Sequence, residues 1–73
     1  MKVISTTDKS RYGNDCYIKE TVSLVEQFDM YAIIVFRKVT GWFENEDVFV
    51  KDVTTDYNVA VAKYEDCGGI LEY

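Results

Sequence analysis

The sequence contains no histidine. That absence removes the commonest general base, the commonest metal ligand and the usual partner of a nucleophilic serine or cysteine. Histidine-dependent triads are therefore excluded within one chain. Cysteine is scarce too: Cys16 and Cys67 stand alone, without the paired spacing of structural zinc sites. Glycine is confined to Gly13, Gly41, Gly68 and Gly69, and no phosphate-cradling glycine motif occurs. No apolar run approaches the ~20 residues that span a bilayer. Lys2 is followed only by Val3 and Ile4 before polar residues begin, which falls short of the apolar core of a signal peptide. Both thiols are therefore expected free, in a reducing cytoplasm, with a Cys16–Cys67 bridge as the alternative.

Proline is absent as well, while 48% of the 73 residues are hydrophobic and 15% aromatic. That composition belongs to a folded chain rather than a disordered one. Its length allows one small domain, residues 1–73, with a small core and modest stability unless the chain associates with itself.

The net charge of −5 is unevenly spread. Residues 1–43 carry six basic groups against five acids, and residues 44–73 carry eight acids against Lys51 and Lys63. Phosphate backbones are bound by basic surface, so direct nucleic-acid binding is not expected of the C-terminal part. Three basic residues near the start, Lys2, Lys9 and Arg11, with Tyr12 beside them, make a weak signal for a nucleic-acid-binding arm and read more simply as solvated. An acidic surface suits a basic partner, or solubility alone.

The clearest element is "YAIIVFRKV", residues 31–39, apolar on alternate positions of both faces and so expected as a central strand. "DVFVKDV" gives another strand, with Val48 and Val50 on one face and Phe49 and Val53 on the other. Residues 16–29 fit a strand by composition, although Ile18, Val22 and Val25 also fall at helical spacing. "QFDM" reads as the turn that follows. Residues 1–15 suggest a short strand over 2–6, then turn chemistry at Gly13-Asn14-Asp15; they form an edge strand or a loosely held arm.

In "TTDYNVAVAKYEDCGG", Tyr57, Ala60, Val61, Tyr64 and Cys67 make a helical stripe, with Thr54 or Thr55 as cap, Asp56 in the first turn and Gly68-Gly69 as the stop. Tyr57, Val59 and Val61 also alternate as in a strand, but the start and stop signals favour the helix. "ILEY" adds a short strand or packs back over the helix end. The fold class is α+β: a small antiparallel β-sheet of three or four strands with one C-terminal α-helix packed on one face.

Glu44, Glu46 and Asp47 lie close together, but no calcium-loop pattern surrounds them. No metal, cofactor or catalytic residue is expected, and the chain reads as a non-enzyme. Trp42-Phe43 are different. Consecutive residues of a strand face opposite ways, so at least one is expected partly exposed as an anchor for a protein interface. The alternative has Trp42 covering the end of the small core. The expected partner surface combines Trp42, Phe43, Glu44, Glu46 and Asp47 with Asp52, Asp56, Glu65 and Asp66 near the helix.

Size, acidity and lack of motifs resemble the small proteins with which phages and mobile elements block host machinery, the anti-CRISPR and anti-restriction types. That resemblance implies an inhibitor that occupies a basic, nucleic-acid-binding groove on another protein. The competing expectation is a homo-oligomeric assembly protein whose strands pair edge to edge.

Overall fold

Two tight turns set the sheet. In the computed structural model, which describes residues 1–13 and 15–71, strand β1 is Lys2–Gly13, β2 is Cys16–Gln27, β3 is Met30–Thr40 and β4 is Asn45–Thr54. Helix α1 is Tyr57–Asp66. The strands form a four-stranded antiparallel sheet in the order β1-β2-β3-β4, and α1 packs against β2, β3 and β4. The expected α+β fold is the one observed.

Between β2 and β3 the turn consists of Phe28 and Asp29 alone, at φ 53° and 61°. Two successive left-handed residues mark the type I′ hairpin, whose twist matches that of the strands it joins. It pairs Gln27 with Met30 and carries the register out to Tyr17 opposite Thr40. Residues 16–27 are thus strand rather than helix. In β1 the pairing runs the full length from Lys2 to Gly13, so the strand extends well past the expected 2–6. Asp15 also has a left-handed φ of 62°, while Asn14, the middle of the expected turn, lies outside the described residues.

The register gives each face its composition. Val22 and Leu24 of β2 and Ile33 and Val35 of β3 point to the helix side, where they form the core with Ala60 and Tyr64. Ile4, Tyr31, Val61, Cys67 and Leu71 pack around it. Ala32, Ile34, Val48, Val50 and Val53 occupy the opposite face. Val53 was expected to share a side with Phe49. A bulge at Lys51, where the register shifts between Ile33 and Ile34, inserts one residue and turns Val53 to the side of Val50.

The helix begins later than expected, one residue past a Thr55 cap and two past a Thr54 cap. Asp56 is the cap, not a first-turn residue, and its Oδ1 accepts from the amides of Asn58 (2.8 Å) and Val59 (3.2 Å). Thr54 Oγ1 accepts from the amide of Asp56 at 3.2 Å. At the other end, Gly68 adopts φ 86° and donates its amide to Glu65 O, while the amide of Gly69 donates to Tyr64 O. Those paired bonds are a Schellman motif. Gly69 lies flat on the Tyr64 ring, where a Cβ would stand 2.5 Å from Cζ.

Tyr64 ties the helix to the edge strand. Its ring is fully buried, and its hydroxyl shares hydrogen bonds with Thr7 Oγ1 (2.6 Å) and Ser5 Oγ (3.2 Å) of β1. The amide of Ile70 donates to Thr7 Oγ1 at 2.9 Å, and Ser5 Oγ donates to Ile70 O at 3.2 Å. Ile70 and Leu71 therefore fold back over the helix end without adding a strand; Glu72 and Tyr73 lie outside the described residues. No buried polar side-chain atom among the described residues lacks a partner.

Two substitutions test this construction in urea denaturation. Tyr64→Phe removes the hydroxyl at the centre of the network and is expected to destabilise the fold by about 1–3 kcal/mol. Asp56→Ala leaves two helix amides uncapped and is expected to cost about 1 kcal/mol. Unchanged midpoints for both would refute this account of how the helix is held.

Candidate functional site

The strands outrun the helix. Ten helical residues span about 15 Å, whereas the molecule is 41 Å long. Beyond the end of α1 a row of charges crosses the helix-side face in register: Lys9, Glu20, Arg37 and Asp47, one from each strand. Arg37 Nε donates to Glu20 Oε2 at 3.0 Å, and Lys9 Nζ donates to the carbonyl of Cys67 at 3.0 Å, at the helix C-terminus. This alternating row closes the apolar core, and both sheet faces past it meet solvent.

At that distal end lie the β1–β2 turn and the β3–β4 loop, residues 41–44. They touch through Gly41, where a Cβ would stand 2.7 Å from the carbonyl oxygen of Asp15. The loop can cross so closely only because residue 41 has no side chain. Trp42 and Phe43 follow at once, 85% and 84% exposed. They sit in the loop itself, not on the sheet, so the alternation of strand faces does not govern them. Behind them Tyr12 and Tyr17, cross-strand partners, stack with ring centroids 5.0 Å apart. Tyr12 is also highly exposed. Four aromatic rings therefore gather at one end of the sheet, far from the core.

The acids expected with Trp42 and Phe43 divide into two groups. Glu44 is exposed in the loop beside them. Glu46 is on β4, facing away from the helix, with Oε1 3.6 Å from Lys38 Nζ. Asp47 faces the helix side opposite Arg37, and its Oδ2 accepts from Asn45 Nδ2 at 3.4 Å.

The second group surrounds α1. Asp52 Oδ2 is 3.7 Å from Lys63 Nζ, and its Oδ1 accepts from the amide of Val53 at 3.0 Å. Asp56 caps the helix, while Glu65 and Asp66 are exposed in its last turn. Asp52 and Asp56 lie toward the far end of β4 from the loop, so the nine residues do not converge on one patch.

Among the described residues no group of three or more His, Cys, Asp or Glu side chains is placed to hold a metal ion. Cys16 and Cys67 are both free and half-buried. Cys16 adjoins Gly13 and Gly41 at the distal end, whereas the Cys67 carbonyl meets Lys9 beside Glu20, about four residues or ~13 Å back along β2. No described helix is long and apolar enough to cross a membrane.

Comparison with protein-family models, with curated proteins and with solved structures gives no match. The site must be read from its own geometry.

Tyr12 and Tyr17 were missed as site residues, since nothing in their local sequence sets them apart. Their signal lies in the hairpin: once Gly13 is paired with Cys16, positions 12 and 17 become partners. The sole tryptophan makes the exposure of the tip measurable. Acrylamide is expected to quench Trp42 fluorescence in the native protein nearly as well as in the unfolded chain. Trp42→Ala with Phe43→Ala is expected to shift unfolding free energy by no more than about 0.5 kcal/mol. A shielded indole, or a loss of several kcal/mol, would place both side chains in the core.

Proposed function

We propose that the chain is a non-catalytic protein-binding module whose contact surface is the distal tip built on Trp42 and Phe43. The observation that carries this reading is the near-complete exposure of two large adjacent aromatic side chains on a loop braced by the neighbouring turn. Large aromatics are the residues most often found at the centre of binding energy in protein interfaces, where a partner's pocket desolvates them. Alone in water they gain nothing for the fold.

Tyr12 and Tyr17 widen the apolar platform, and Glu44, Glu46 and Asp47 supply charge at its edge. A partner with an apolar pocket rimmed by lysine and arginine fits this tip. A groove that normally receives nucleic acid has that rim, so the module acts as a competitor for such a groove, in the manner of anti-CRISPR and anti-restriction inhibitors. Its place of action is the cytoplasm, a reading supported by the two free thiols.

Immobilised wild-type protein and a Trp42→Ala/Phe43→Ala variant, compared side by side on lysate of the native host, test the reading. The expected result is a partner retained by the wild type, lost from the variant, and released by nucleic acid. Truncating two anchors of this kind is expected to weaken the complex by roughly 100-fold or more. Glu44→Gln, Glu46→Gln and Asp47→Asn together are expected to reduce the salt dependence of its affinity. Equal retention by wild type and variant would remove the tip from the interface. Tight binding of nucleic acid by the chain itself would overturn the competitor reading.

A further inference from the structure

We propose that a second copy of this chain covers the sheet face turned away from α1, forming a closed two-fold dimer. This goes beyond the partner-binding tip and concerns the opposite end of the molecule. Helix α1 covers only one side of the sheet. On the other side Val3, Val48, Val50 and Val53 remain 48–65% exposed. Phe28, Met30, Ala32 and Ile34 line a shallow groove with Val50 and Val53 at the end near the β2–β3 turn. Val25 is already buried there, beside Val3 and Ala32 in the register.

At their fractional exposures, Met1, Phe28, Met30 and the four valines present residue surface on the order of 700 Å², most of it apolar side chain. That exceeds the ~300–600 Å² of the largest apolar patch on a typical monomer. It approaches the ~800 Å² that each partner contributes to a standard interface. The area therefore suits a stable dimer in which each copy supplies the cover the other lacks. Sheets packed face to face in this way align their strands to within about 30°.

Phe28 argues for the same occupant independently. It is a bulky residue in the left-handed region, at φ 53°, in a turn that favours asparagine, aspartate or glycine. Its side chain is 87% exposed, so the isolated chain gains no packing from a strained residue. Packing against a neighbour gives the ring a role at the rim of the apolar face.

Charge limits how far the two copies overlap. Farther along the same face are Asp8, Lys19, Lys38 and Glu46, with Thr21 Oγ1 donating to Asp8 Oδ1 at 2.7 Å and the Lys38–Glu46 pair beside them. Burying that half would desolvate four charges. The two-fold axis therefore runs across the strands through the apolar half, and the two Trp42–Phe43 tips project from opposite ends. An isologous contact of this kind closes at two copies.

Sedimentation equilibrium tests the proposal on the wild type and three variants. The wild type is expected at twice the 8.5 kDa of one chain in the micromolar range. Val50→Lys, at an exposed position that the monomer tolerates, is expected to weaken dimerisation by roughly 100-fold or more. Phe28→Asn relieves the strained turn, so it is expected to give a more stable monomer and a dimer weakened by about 10-fold. Trp42→Ala is expected to leave the dimer intact. A wild type that stays at one chain's mass at its highest soluble concentration overturns the proposal. So does a Val50→Lys protein that dimerises as tightly as the wild type, or a mass that keeps growing with concentration, which would mean edge-to-edge pairing.

Discussion

A helix of ten residues is about 15 Å long, and the molecule whose sheet it must cover is 41 Å long. Most of the molecule's character follows from that mismatch. The helix can bury only a short stretch of one face, so the core is limited to two positions on each central strand and two on the helix. Where the helix stops, apolar side chains on its face would be left in water. The register there supplies Lys9, Glu20, Arg37 and Asp47 instead, alternating in sign across four strands. Half-exposed pairs of this kind add little stability. Their effect is to end the core cleanly and keep the projecting part of the sheet hydrated.

Registration depends on the turns as much as on the core. A one-residue slip between β2 and β3 would send Val22, Leu24, Ile33 and Val35 to the wrong side. The two-residue turn at Phe28-Asp29 opposes that slip, but it does so with a residue poorly suited to the left-handed region. Core burial on the helix side over-determines the register, which is how a strained turn residue persists. The bulge at Lys51 has the opposite consequence. It disrupts the ladder, and in return it delivers Val53 to the open face and Asp52 to within reach of Lys63 on the helix.

Composition and alternation made the class of fold legible: β3 as a central strand, β4 as its neighbour, and a helix stopped by Gly68-Gly69. What they did not reveal was anything that depends on which residues meet across strands. Residues 16–27 carry both periodicities, and pairing with β1 on one side and β3 on the other decides for strand. Strand β1 is polar beyond residue 6, so it reads as an arm; its backbone pairs with β2 regardless of side-chain polarity, and its Ser5 and Thr7 are the partners of Tyr64. The same limitation applies to the tip. Trp42 and Phe43 stood out as a local pair, whereas the Tyr12–Tyr17 stack required knowing the hairpin. A bulge leaves no period to detect, which is why Val53 was assigned to the wrong face.

The acidity of the C-terminal part looks in sequence like one field, and in three dimensions it is a set of local interactions. Asp56 satisfies two helix amides, Asp52 holds Lys63, Glu46 faces Lys38, and Asp47 stands opposite Arg37. Glu65 and Asp66 are in the last helical turn, where the macrodipole disfavours negative charge. Lys9, reaching the Cys67 carbonyl from β1, offsets part of that penalty and joins the edge strand to the helix end. Four of the eight carboxylates of residues 44–73 are engaged in this way, and the described ones are divided between the tip and the helix rather than gathered on one patch. The proposed recognition accordingly draws on short-range burial of aromatic surface, which is concentrated at the end of the sheet the helix cannot reach. The apolar face lies toward the opposite end. Because the charged stretch of sheet separates the two, the partner contact and the dimer contact proposed above do not compete for the same surface.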